Sequence, residues 1–292
     1  MVELSIRQQA GQIIRASRLA RSAVWAQLAS SGKIAVPISR EDALAKIAAV
    51  AQPNLPQPAW VTVVGCSGAG KTFFSHQAVD FLLQRGIKTP SNARIIHSDD
   101  WLLAVSPCHV KVLRSTFDVQ RFSADVESLF YGKAIMKPLF DYTGSLRRSE
   151  YYGRLDLQQT VLIETRRFCP VPLLAEELSI QQRRKVLPEE VFVDVATRGI
   201  FERVTPRPGQ IYIFEGTEIL TYSRLASQVN LKLFLDAPFK ERCQRNTRRH
   251  TNGERRINLS PKKQQQLYRY QKIFHGLQRI FHLLTTDYRV VD

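Results

Sequence analysis

Residues 65 to 72 read Gly-Cys-Ser-Gly-Ala-Gly-Lys-Thr, a full match to the spacing G-x-x-x-x-G-K-[ST]. The small residues Gly65, Ser67, Gly68, Ala69 and Gly70 let successive backbone N–H groups converge on phosphate oxygens, and the start of a following helix adds favourable partial charge. Lys71 is spaced to reach the β- and γ-phosphates of a nucleoside triphosphate, and the Thr72 hydroxyl to ligate Mg2+. Cys66 reads as a small loop residue, not a nucleophile. The loop alone leaves three chemistries open: hydrolysis that drives motion, hydrolysis that acts as a timer, and transfer of the phosphoryl group to an acceptor.

Three further stretches narrow the choice. IIHSDDW (95 to 101) sets Asp99 and Asp100 at the carboxyl end of an apolar run, the edge where ligands gather in open α/β sheets. One of the two could take the proton of an acceptor hydroxyl while the other organises Mg2+-bound water; the plainer alternative is an Asp pair capping a turn. IYIFEG (211 to 216) ends another apolar run with Glu215 beside Gly216. A carboxylate there is costly unless it meets metal, water or a donor, so Glu215 reads as a residue of the magnesium or acceptor site. Arg242, Arg245 and Arg249 recur at intervals of three and four and share a helical face. With Lys240, Arg248, His250, Arg255 and Arg256 around them, they read as a lid that closes on ATP and supplies charge to the phosphoryl group in flight.

Other nucleotide chemistries lack their residues. DYTG (141 to 144) matches the D-x-x-G of a GTPase by letter, but the preceding KPLF is not expected to form a buried strand, and the guanine-reading N-K-x-D is absent. The apolar strand ending in Asp-Glu that motor and transport ATPases carry is not found either.

The elements that must hold these residues alternate. WVTVVG (60 to 65), ARIIHSDD (93 to 100), QIYIFEG (210 to 216), LKLFLD (231 to 236) and YRVVD (288 to 292) are short apolar strand candidates with helical patterns between them. The expected fold is α/β, a parallel sheet sandwiched by helices. Ahead of it, residues 4 to 30 and 41 to 52 read as helices of an N-terminal extension (1 to 52). The first, rich in Arg and Ser, has some transit-peptide character beside the plainer reading of a helix packed on the next domain. PNLPQP (53 to 58) is a stiff linker, and the phosphate-loop domain is expected over 59 to 292.

The 292 residues carry a formal charge of +16, which favours anionic partners: a nucleoside triphosphate and a small-molecule acceptor first, nucleic acid less so in the absence of any recognised binding motif. Four scattered cysteines without a C-x-x-C pair argue against a disulfide framework or zinc site and for a reducing, cytoplasmic setting. No apolar run is long enough to span a membrane.

Taken together, GCSGAGKT, HSDDW, STFDVQRFSADVESLFYGK, KPLFDYT, IYIFEG and the arginine cluster resemble the uridine kinase, phosphoribulokinase and pantothenate kinase superfamily, in the order and spacing of uridine kinases. The resemblance runs from about residue 60 to 292, apart from an insertion-like segment at about 146 to 200. It implies a P-loop kinase fold, ATP and Mg2+ as cofactors, and transfer to a hydroxyl, most simply of a nucleoside. It also implies roles: Asp99 as catalytic base, Asp118 on the acceptor ribose, Glu215 at the magnesium site, and Arg245 and Arg249 as lid arginines, with Arg242 one turn earlier. Two base-reading positions depart from the uridine kinase pattern, with Phe140 where a tyrosine stacks on the base and Ser145 where a histidine meets uracil. HSDDWLL and FDVQRF are similar to the acceptor side of pantothenate kinases, which keeps pantothenate, a sugar or a sugar phosphate as alternative acceptors.

Overall fold

The computed structural model describes residues 34–52, 56–89, 91–101, 118–141, 146–147, 168–170, 190–194, 200–216, 220, 223–251, 276, 279 and 281–291. The helix expected at 4 to 30 lies outside the described residues, as does most of the segment from 146 to 200.

The strands are β1 (Val36–Ile38), β2 (Ala59–Val64), β3 (Ala93–His97), β4 (Ile135–Pro138), β5 (Phe140–Asp141), β6 (Leu146–Arg147), β7 (Phe168–Pro170), β8 (Val191–Asp194), β9 (Ile200–Val204), β10 (Ile211–Gly216), β11 (Leu231–Leu235) and β12 (Tyr288–Val290). The helices are α1 (Arg40–Val50), α2 (Lys71–Gln84), α3 (Val119–Phe130), α4 (Ser223–Gln228) and α5 (Phe239–Thr251). Six strands form one parallel sheet in the order β1-β12-β11-β2-β10-β3. A second, antiparallel sheet has the order β4-β9-β8-β7, and β5 pairs with β6.

Alternation along the central strands explains the layers. Val61 and Val63 of β2, Ile211 and Ile213 of β10, and Leu231, Leu233 and Leu235 of β11 point to one face, where they meet Ala43 and Ile47 of α1 and Phe74, Ala78 and Leu82 of α2. Trp60, Ile96, Tyr212 and Phe214 point to the other face and pack on Phe122, Val126 and Leu129 of α3. Val64 and Phe234 continue that second layer beneath α4 and helical residues 281–285. Both faces of the sheet are covered, which is why its strands read as uninterrupted apolar runs. Phe74 and Leu82 are fully buried, and burying each stabilises the fold by about 1.5–3 kcal/mol.

Helix α1 starts where the Ser39 hydroxyl accepts the Asp42 N–H at 3.0 Å, and the Lys46 ammonium lies 4.2 Å from the centre of the Tyr288 ring on β12. Residues ahead of the proline linker thus share the core of the parallel sheet.

One expectation needs correcting. KPLF was expected not to form a buried strand, yet Lys137 and Pro138 lie in β4 and are buried. A lysine argues against burial only when its charge is unmatched. Here Lys137 stands directly opposite Glu202 of β9 and pairs with it at 2.9 Å. The strand belongs to the antiparallel sheet, which docks through Ile135 and Val204 against the aromatic layer of Trp60, Tyr212 and Phe214.

Candidate active site

The glycine-rich loop leaves β2 and runs into α2. Gly68 and Gly70 both hold left-handed backbone, with φ of +81° and +88°, which side-chain-bearing residues rarely adopt. Close approach adds a second demand at two positions. A Cβ on Gly68 would lie 2.6 Å from the Arg242 carbonyl oxygen, and one on Gly65 2.8 Å from that of Leu235. The loop is therefore clamped between β11 and α5. Its helix begins at Lys71, so the first-turn N–H groups have no intrahelical acceptor and face the loop. The Lys71 ammonium rests on the Cys66 carbonyl at 3.4 Å, and burial pushes the Cys66 thiol above its ordinary value.

Glu215 is two residues beyond Ile213 on β10, so its side chain emerges on the face that α2 covers. His97 is its register partner on β3. The two meet at 3.1 Å between His97 Nδ1 and Glu215 Oε1, and the Thr72 hydroxyl donates to the same oxygen at 3.0 Å. Glu215 Oε2 is buried and accepts no hydrogen bond among the described residues. Burial opposes ionisation, but the His97 hydrogen bond and charge, Lys71 and Thr72 outweigh it and hold the carboxyl at a pKa of about 2. Glu215 is thus an anion at neutral pH with one free oxygen.

Strand β3 ends in a short 3-10 turn, Ser98–Trp101, that separates the two aspartates. Asp99 is half-buried. Asp100 is fully buried and takes an ion pair from Lys137 at 2.5 Å. The Trp101 indole donates to Asp125 of α3 at 2.8 Å, and the Trp101 carbonyl accepts the Asp118 N–H at 2.9 Å. Asp118, the N-cap of α3, accepts the Arg121 N–H at 3.2 Å. The backbone bond to Trp101 therefore brings Asp118 to the end of the turn that carries Asp99. Phe140 lies in β5, and its side chain is outside the described residues.

Helix α5 lies across the glycine-rich loop. Arg245 directs its guanidinium at the Gly68 and Ala69 carbonyls (3.5 and 3.4 Å) and pairs with Glu241 at 3.1 Å. Arg242 is buried, with its Nε donating to the Ala237 carbonyl at 2.9 Å. Arg249 is on the same helix, its side chain outside the described residues. Asn246, which sequence spacing did not single out, reaches Ser67 Oγ at 3.4 Å. His97 and Lys137 were missed as well. A polar residue inside an otherwise apolar run was the available signal for both.

The donor set fits Mg2+. Thr72 and Glu215 offer hard oxygens, one of them a buried carboxylate oxygen without a partner, and magnesium commonly takes only one or two protein ligands beside phosphate and water. Among the described residues no cluster of three or more His, Cys, Asp or Glu could hold a metal by itself. No helix among them is long and apolar enough to cross a membrane.

No protein-family model and no curated protein matches the sequence. Among solved structures, the chain is similar to a candidate fructose transport system kinase from a Silicibacter species, at 14% identity and a TM-score of 0.41 over 82% of this chain and 91% of that one. It is also similar to a candidate uridine kinase from Bacillus stearothermophilus, at 13% identity and a TM-score of 0.36 over 86% and 97%. A third is shikimate kinase from Acinetobacter baumannii in complex with shikimate, at 13% identity and a TM-score of 0.31 over 80% and 84%.

Proposed function

We propose that the protein is a P-loop kinase that transfers the γ-phosphoryl group of ATP to a hydroxyl of a small molecule. The observation that carries this reading is the meeting of Thr72 and Glu215, with a free buried carboxylate oxygen, at the sheet edge where β3 delivers Asp99. A timer or motor needs water held against the γ-phosphate. Here the strand-end carboxylate is half-buried on a turn capped by Asp118, an arrangement suited to an organic acceptor.

In this mechanism the backbone of residues 65 to 72 and Lys71 hold the triphosphate, and Thr72 and Glu215 would hold Mg2+, which when bound would supply neutralisation of phosphate charge. Asp99 takes the acceptor's hydroxyl proton while the acceptor oxygen bonds to phosphorus and the β–γ bridging oxygen leaves with ADP. Asp100, locked by Lys137, fixes the turn that aims Asp99, and Asp118 positions the acceptor. Arg245 and Arg249 offset charge on the phosphoryl group as α5 closes, which also excludes water.

The motif pattern makes a nucleoside the first acceptor to test. Phe140 and Ser145, at positions that read the base in uridine kinases, favour trying pantothenate, sugars and sugar phosphates beside it. The test is transfer from γ-labelled ATP to such a panel, with Lys71→Ala and Asp99→Asn as controls. Transfer to one compound, abolished by both changes, supports the reading. Phosphate release at the same rate with and without every acceptor would replace it with a water-directed NTPase.

A further inference from the structure

At the opposite end of the parallel strands lies a cavity of about 340 Å3, lined by Ser91, Arg94, Glu190, Arg203, Thr205, Arg207 and Gln210. Gln210 immediately precedes β10 and Glu215 lies near its far end, so roughly 15–20 Å of strand separates the cavity from the phosphate loop. Its floor is fixed. The Gln210 amide donates to the Ser91 carbonyl at 3.1 Å, while its oxygen accepts from the Arg207 N–H at 2.8 Å and from the Tyr212 hydroxyl.

The charges in the wall are unequal. Arg94 is held by Glu190 at 2.6 Å and by Glu202 behind it. Arg203 and Arg207 are exposed and have no carboxylate partner among the described residues. Two open guanidinium groups line one space beside Thr205 and Ser91, whose hydroxyl shares a 3.0 Å hydrogen bond with that of Thr89. Paired guanidinium groups of this kind are the pattern that recognises a tetrahedral oxyanion. The volume falls at the lower end of the range of about 300–1,000 Å3 for small-molecule sites, room for a phosphate carrying a few carbons.

We infer that this cavity is a second ligand site, separate from the nucleotide loop, for a small phosphorylated metabolite, and that its occupancy is felt at the active site. Arg94 is the outer end of a buried alternating chain: Arg94 to Glu202, Glu202 to Lys137 at 2.9 Å, and Lys137 to Asp100 at 2.5 Å, one residue from Asp99. A phosphate that draws Arg94 away from Glu202 alters a chain of charges that ends on Asp100 in the Asp99 turn. The binding half stands alone; the regulatory half rests on the kinase reading above.

The probe is glycerol 3-phosphate, titrated calorimetrically into the full-length protein. One saturable site is expected, retained in Lys71→Ala, where the nucleotide loop is disabled. In Arg203→Ala/Arg207→Ala it should weaken at least tenfold, while the melting temperature stays close to that of the unaltered chain because both side chains are exposed. Failure to saturate overturns the site, as does binding lost in Lys71→Ala but kept in the double variant, or lactate binding equally well. In the transfer assay, saturating probe should change the acceptor KM by about fivefold or more, within the usual range of coupling between sites, and leave the double variant unaffected. An unchanged KM in the unaltered protein overturns the coupling. If no acceptor is phosphorylated at all, the kinase reading falls, and the calorimetry still decides the site.

Discussion

The Thr72 hydroxyl and the Glu215 carboxylate meet at 3.0 Å, joining the first turn of α2 to the end of β10. That bond occupies one Glu215 oxygen and leaves the other buried and, among the described residues, unpartnered. Glu215→Gln keeps an oxygen for Thr72 but removes the negative charge. Transfer is expected to fall about 100-fold or more, the scale of losing one preorganised electrostatic contact. The Mg2+ concentration needed for half-maximal rate should rise. Initial rates across a Mg2+ series check this, and an unchanged Mg2+ dependence would refute a metal role.

Arg242 and Arg245 lie one turn apart on α5 and are expected to fail in different ways. Arg242 is buried with a hydrogen bond to the Ala237 carbonyl, so Arg242→Ala should cost about 1–3 kcal/mol of stability. Arg245 is about two-fifths exposed in a surface pair with Glu241, so Arg245→Ala should cost under about 1 kcal/mol. Its transfer rate should nonetheless fall by about 1,000-fold, as for an arginine that offsets phosphoryl charge. Thermal melts and turnover on the same preparations separate the two, and equal profiles would remove the lid assignment of Arg245.

Lys137 tests the buried chain. Its ammonium lies between Asp100 and Glu202, and burial of the Glu202 carboxyl is outweighed by Lys137 and Arg94, which hold its pKa below the ordinary value. Lys137→Met removes the cation shared by the buried Asp100 and Glu202 carboxylates, leaving Arg94 on Glu202, and is expected to cost about 3–5 kcal/mol. Adding Asp100→Asn and Glu202→Gln should recover a large part of that loss. Urea unfolding of the single and triple variants is the measurement. A single variant within 1 kcal/mol of the unaltered chain would contradict the pairing.

These residues also mark what sequence could and could not tell. The strand–glycine-rich loop–helix unit, five of the six parallel strands and the helical spacing of Arg242 and Arg245 were legible because each follows from local periodicity or a contiguous motif. The three-residue β1, inside an extension read as helical, was not. Glu215 was legible because an acid ending an apolar strand needs a partner, though the identity of His97 as that partner depends on the β3–β10 register. The antiparallel sheet was not legible. Its strands are short, and β4 and β9 conceal their burial behind Lys137 and Glu202, which cancel only when paired across the sheet. For the same reason Asp99 and Asp100 looked alike in sequence, and only the turn after β3 sends one toward Lys137 and leaves the other half-exposed.

His282 gives the last prediction, on pH. Its ring packs 5.3 Å from that of Phe234, with both nitrogens buried and unpartnered among the described residues. Burial, helped by the charge of Lys71, lowers its pKa from 6.5 to about 3. The unfolded chain therefore takes up a proton at a pH where the folded chain does not, so stability is full above about pH 6.5 and falls as pH drops toward 3. Well below the upper limit the loss approaches about 1.4 kcal/mol per pH unit. Glu215 adds a loss of the same sign only below about pH 4.5, so the window from pH 6.5 to 5 isolates His282 from that carboxylate. His282→Leu should flatten the dependence of unfolding free energy on pH across that window. Urea titrations at half-unit intervals check it, and an equal slope in both proteins would mean that His282 is protonated in the fold.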